Sequence, residues 1–217
     1  KGLLTSKINT CPACHFHHPI CIGVISVEKG RLPFKTAIKT VKVPKDPTGG
    51  EAKNAAQINQ AKYAWVTKII RNSKAKSVVI DDSQYLLVNE LFDRAYEKSY
   101  DKFNEIAVKF RNLIHAINDM EEEDKIVYFL HHSEIDDDGR AKVKTVGKML
   151  DNTLTVEGCF DIVIYCQDYK FFTQSNGIST AKSPEDMLPL EMPNDLKAVD
   201  TKIREYYGLT KKGESND

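Results

Sequence analysis

A chain of 217 residues is long enough for one α/β domain with a substantial core, or for one domain and an appendage. Lys+Arg and Asp+Glu both number 31, which excludes a global basic field, so any contact with DNA would need a local patch. No apolar run approaches the ~20 residues that span a bilayer, and no secretory signal is visible, so a soluble protein without a membrane partner is expected.

Residues 1–21 stand apart in composition. The chain opens at Lys1 without a methionine, which reads as a fragment or a disturbed start. Three of the five cysteines crowd between Cys11 and Cys21, unlike an extracellular disulfide framework, and this points to an intracellular compartment. Cys11, Cys14, His18 and Cys21 could form a CCHC zinc knuckle, since thiolates and imidazole suit tetrahedral zinc. Only one C-x-x-C is present and the last spacing is cramped, so an accidental Cys/His cluster outweighs the metal reading.

Ile22-Gly23-Val24-Ile25-Ser26-Val27 is a short apolar run ending at Glu28. Residues 31–50 read as a loop, with Pro44, Pro47 and Gly49-Gly50 as breakers. A helix is expected over 52–72, with Ala56, Ile58, Ala61, Trp65, Ile69 and Ile70 on its apolar face. Val78-Val79-Ile80, closing in Asp81-Asp82, reads as a strand buried on both faces, as in a parallel sheet. Open α/β sheets bind ligands at the carboxyl ends of their strands, so Asp81 and Asp82 would face that crevice.

Residues 84–97 and 100–119 read as helices, and Phe103, Ile106, Ala107, Phe110, Leu113, Ile114 and Ile117 follow the helical period. The acidic run 121–124 is a solvated turn. Lys125–Leu130 is a third buried strand, ending in His131-His132-Ser133-Glu134. Asp136-Asp137-Asp138-Gly139 marks a turn between short strands at 126–131 and about 141–146. Residues 161–166 form a fourth strand, turning at Gln167-Asp168 into Lys170–Gln174 as a hairpin. Cys159 and Cys166 fit core or strand positions. A short helix over 195–206 precedes a polar tail, 208–217. The expected class is α/β: a mainly parallel sheet flanked by helices, with C-terminal antiparallel strands.

Three strands thus end in polar groups: Glu28, Asp81-Asp82 and His131-His132. In a parallel sheet these ends share one edge. A metal-phosphate site needs a carboxylate for the cation, a second to orient water and a polar group at the terminal phosphate. Any one polar strand end is unremarkable; three in this order carry the reading.

A longer series of short motifs runs through the chain: Ile25–Lys35, Val79–Tyr85, Tyr100–Phe103, Phe129–Glu134, Thr145–Asp151, Glu157-Gly158, Asn176-Gly177 and Thr180–Pro184. Through them, over about 24–207, the chain resembles the phage-encoded RecA-like P-loop ATPases, some of which are single-strand annealing recombinases. The resemblance implies a RecA-like core over 22–207 that binds Mg-ATP and works on single-stranded DNA. It also implies a homo-oligomer in the cytoplasm of the host cell, with a single-strand binding protein as a further partner. By the same likeness Asp81 is the magnesium ligand, Asp82 its acidic neighbour and Glu28 the carboxylate that polarises water. His132 would sense the γ-phosphate, with His131 the adjacent option. Lys182 could reach a phosphate from a neighbouring subunit, or be a solvated loop lysine. Arg31–Lys45 and Lys170–Phe172, basic and interleaved with aromatics, could line a path for single-stranded DNA.

One departure is decisive for nucleotide chemistry. A phosphate loop needs G-x-x-x-x-G-K-[ST], whose backbone N–H groups wrap the phosphates and whose lysine neutralises them. The sequence holds no such string. At the expected place, residues 1–9, only Gly2 and Lys7 survive, and Gly147-Lys148-Met149 is no substitute. Two expectations follow: an ATPase of DNA recombination, with Lys7 its phosphate lysine, or a nucleotide-free scaffold or DNA-binding subunit of the same fold with an N-terminal zinc knuckle.

Overall fold

The computed structural model describes residues 22–29, 38, 40–147 and 155–209. Strands β1 (Ile22–Ser26), β2 (Thr40–Lys42), β3 (Ser77–Asp81) and β4 (Ile126–Phe129) form one sheet in the order β2-β1-β3-β4. Every pairing in it is parallel. Ser77-Val78-Val79-Ile80 is buried throughout, as a strand covered on both faces must be.

The two faces carry different helices. Alternation sends Ile25, Val27, Val78 and Ile80 to one side, where they pack with helices α1 (Ala55–Asn72), α2 (Tyr85–Asp93) and α3 (Asp101–Asn118). Asn54 starts α1 by accepting the Gln57 N–H at 3.0 Å, and Tyr63, Val66 and Ile70 follow as its buried stripe. In α3 the predicted period holds: Ile106, Phe110, Leu113 and Ile114 are buried. On the other face, Ile126 and Tyr128 pack with Val199 and Ile203 of helix α4 (Leu196–Tyr206). Asp195 caps α4, accepting from the Lys197 and Ala198 N–H groups.

The remaining strands are antiparallel. β5 (Ser133–Ile135) pairs with β6 (Ala141–Val143), and β7 (Tyr165–Gln167), β8 (Lys170–Phe172) and β9 (Glu191–Pro193) form a second small sheet. Asp168 and Tyr169 join β7 to β8 with φ of 49° and 60°, the left-handed pair that a two-residue hairpin turn demands. The α/β class therefore stands, with parallel strands first and antiparallel strands after.

Several expectations need correction. The loop expected over 31–50 contains β2, a three-residue strand recruited by backbone pairing to β1. The triple-aspartate turn joins β5 to β6 and not the 126–131 strand, because Leu130 turns its carbonyl to Ser83 and the chain leaves the sheet there. The strand read at 161–166 enters a ladder only at Tyr165, with Val163 making an isolated bridge to Lys182. The helix read over 84–97 stops at Asp93.

Candidate functional site

Strand register sets the rim. Ser26 lies opposite Asp81, and Ile80 opposite Phe129, so β1, β3 and β4 end at one level. Val27 N–H donates to the Asp81 carbonyl at 3.1 Å, and Leu130 N–H to the Ile80 carbonyl at 2.9 Å. Beyond Asp81 the chain must turn sharply, because Ser83 N–H reaches the Leu130 carbonyl at 2.9 Å. Asp82 makes that turn at φ 58°, a left-handed conformation that aspartate tolerates better than most residues. The turn presents its carboxylate to His132 Nε2 at 3.3 Å. Tyr85, at the start of α2, sets its ring edge-on to His132, 6.1 Å between centroids.

Glu28 follows β1 by two residues and is steadied from α2, where Asn89 Nδ2 donates to its Oε2 at 3.4 Å. Tyr85 and Asn89 are i and i+4 on α2, so a single helix face serves both His132 and Glu28. Sequence reading missed Asn89, whose part is set by a contact with Glu28, 61 positions away. Asp81 alternates with Ile80 and so belongs to the sheet face of Ser77 and Val79.

His131 points the other way. Its Nε2–H donates to the Lys144 carbonyl at 2.7 Å, which leaves Nδ1 as an acceptor 3.0 Å from the Ser83 hydroxyl. The same hydroxyl lies 3.1 Å from the Leu130 carbonyl. Burial lowers the His131 pKa to about 4, against the opposing pull of the Lys144 carbonyl. His131 is thus a neutral clamp behind the rim, while His132 is the outward ring, its side chain 53 % exposed.

A pH dependence follows. The folded state holds His131 well below its ordinary value of 6.5, so the unfolded chain binds this proton first. The stability contributed by neutral His131 should be complete above about pH 6.5 and be lost as pH falls towards 4, by on the order of 2 kcal/mol. Urea denaturation at pH 7 and pH 4.5 should show a steeper loss for the parent than for His131→Gln, in which this group no longer titrates. Parallel losses would remove the clamp from consideration.

Other predicted positions stand elsewhere. Lys182 exchanges both backbone hydrogen bonds with Val163 at 2.8 Å and makes no ion pair with the rim carboxylates. In the stretch Lys170–Phe172, Phe171 is buried in the second core at 5 % exposure, and the exposed Lys170 is paired with Glu191 at 2.7 Å. Lys7, Cys11, Cys14, His18 and Cys21 lie outside the described residues, as does most of Arg31–Lys45.

No family model, curated protein or solved structure matches this chain. The rim must be read from its own chemistry. Among the described residues no group of three or more His, Cys, Asp or Glu could hold a metal ion. A pair of carboxylates suits magnesium, which takes one or two of them and fills its remaining positions with phosphate oxygens and water. No helix among the described residues is long and apolar enough to cross a membrane.

Proposed function

We propose that this rim binds the phosphates of a nucleotide through magnesium, and that the chain is an ATP-binding ATPase of the RecA-like P-loop kind, acting in phage DNA recombination. The observation that carries the reading is the Asp82–His132 contact of 3.3 Å, with Asp81 beside it at the carboxyl ends of adjacent parallel strands. Bound magnesium would offset phosphate charge and orient the terminal group. Asp81 and Asp82 would hold it. Glu28, steadied by Asn89, orients a water and accepts its proton. His132 gives its Nε2–H to a terminal phosphate oxygen in exchange for Asp82. Lys7 remains the lysine available for the phosphates. Homo-oligomers on single-stranded DNA in the host cytoplasm, assisted by a single-strand binding protein, belong to the same proposal and rest on the sequence resemblance.

A second reading keeps the fold without the nucleotide, as a scaffold or DNA-binding subunit. It is favoured by a sequence with no G-x-x-x-x-G-K-[ST] string. Titration with a fluorescent ATP analogue separates the two. Under the first reading the chain binds the analogue only with magnesium, and Asp81→Ala or Asp82→Asn weakens binding at least about tenfold, as loss of a charged metal ligand should. Absence of binding by the parent chain leaves the second reading.

A further inference from the structure

Behind the Asp82–His132 contact lies a second pair made by their chain neighbours. Ser83 follows Asp82, His131 precedes His132, and the Ser83 hydroxyl lies 3.0 Å from His131 Nδ1. The two pairs differ in their surroundings. Ser83 is fully buried, whereas the Asp82 and His132 side chains are 21 % and 53 % exposed. A pair so open to water contributes little to holding its own geometry. That task falls to the buried pair.

Proton placement fixes the inner contact. The Lys144 carbonyl only accepts, so His131 Nε2, 2.7 Å away, carries the hydrogen and Nδ1 is an acceptor. The Ser83 hydroxyl has one proton for two acceptors, Nδ1 and the Leu130 carbonyl at 3.1 Å. Leu130 already receives the Ser83 N–H at 2.9 Å, so the hydroxyl proton goes to Nδ1. The His131 ring in turn packs against Phe110 of α3, 5.8 Å between centroids. Ser83 is therefore joined to the end of β4 by its backbone and its side chain at once.

This double attachment bears on Asp82. Its φ of 58° lies in the left-handed region, which a residue other than glycine keeps only where its neighbours over-determine it. On one side Asp81 is in register with Ser26 in the sheet. On the other, Tyr85 N–H donates to the Asp82 carbonyl at 2.9 Å, and Ser83 is pinned to β4.

We propose that Ser83 is a positioning residue of the candidate site. It acts through Asp82: its hydroxyl, oriented by His131, keeps the Asp82 carboxylate where it meets His132. The consequence for magnesium rests on the nucleotide reading, and the consequence for the Asp82–His132 contact does not.

Two measurements on the full chain test this separately. The first needs no ligand. In nuclear magnetic resonance spectra at one pH, Asp82→Asn displaces the His132 ring resonances by removing the charge beside them. Ser83→Ala should displace them in the same direction, and adding it to Asp82→Asn should displace them no further, because its effect passes through Asp82. Thr173→Val removes an equally buried hydroxyl, bonded to the Pro189 carbonyl at 2.8 Å in the second core, and should leave them unmoved. Ser83→Cys keeps a weak donor and serves where the alanine variant unfolds, with a smaller displacement of the same sign. His132 resonances unchanged in the Ser83 variants, or displacements that add in the double variant, overturn the proposal. The second measurement is magnesium titration of ATP-analogue binding. Ser83→Ala should need about tenfold more magnesium for half-maximal binding, and bind within about twofold of the parent once magnesium saturates. An unchanged magnesium requirement also overturns the proposal. A parent chain that binds no analogue removes the nucleotide reading instead, and the His132 resonances still decide the role of Ser83.

Discussion

Arg204→Met should lower the unfolding free energy by about 3–5 kcal/mol, the cost of stranding a buried charge. Arg204 and Asp200 sit one turn apart on α4, each side chain 6 % exposed, with Nε and Oδ2 2.7 Å apart. Asp200 also accepts from the Ser77 hydroxyl at 2.7 Å and the Tyr128 hydroxyl at 2.8 Å, tying α4 to β3 and β4. Burial and the Asp200 charge push the Tyr128 phenol well above its ordinary range, so it stays a donor throughout. The guanidinium reaches further, to the Lys76 and Asp124 carbonyls, both at 2.8 Å. Methionine matches the stem but none of these donors, and it leaves Asp200 with a full charge and two neutral partners. Replacing both ends, as Asp200→Leu with Arg204→Met, removes the stranded charge and should recover much of the loss. Urea denaturation of the parent, the single variant and the double variant decides it. A single variant within about 1 kcal/mol of the parent would show that α4 is held by apolar packing alone.

Much of this scaffold was legible in the sequence, and the reason differs by element. Val78–Ile80 and Ile126–Phe129 announced themselves because a strand covered on both faces must be apolar at successive positions. The stripe of α3 was legible because one face meets the sheet. Strand β2 was hidden: Thr40-Val41-Lys42 is exposed or partly so, and its place is set by backbone pairing with β1. At the site, Asp81, Asp82 and His132 could be read from strand ends. Ser83 and Asn89 could not be assigned their parts, because each acts through a contact with a residue remote in sequence, 48 and 61 positions away. The buried charges were the least legible. Glu90 with Arg94, and Asp200 with Arg204, have the i, i+4 spacing of solvated helix pairs, and only tertiary packing turns them inward.

Glu90 is the second such charge, and its loss should reach the rim. Its side chain is fully buried between α1, α2 and α3, and its Oε1 accepts from Arg94 at 3.0 Å and Lys109 at 2.6 Å. Arg94 extends the network to Glu97 at 2.8 Å and Glu105 at 2.7 Å. Burial, then the Glu90 charge, drives the Tyr63 phenol upward, so Tyr63 remains neutral beside it. Glu90→Ala would leave Lys109, 11 % exposed, without its carboxylate partner while Arg94 keeps Glu97 and Glu105, at about 3–5 kcal/mol. Glu90→Gln keeps the volume and one acceptor and should cost less. Because Asn89 precedes Glu90 on α2, a shift of that helix loosens the Glu28 contact, whereas the Asp82–His132 contact hangs from β3 and β4 and loses only the edge of Tyr85. Glu90→Ala should therefore lose stability in urea and, under the nucleotide reading, reduce hydrolysis more than it reduces binding of the magnesium-bound analogue. Equal losses in both would mean that the helical layer supports the whole rim, and full stability would mean that the network is solvated.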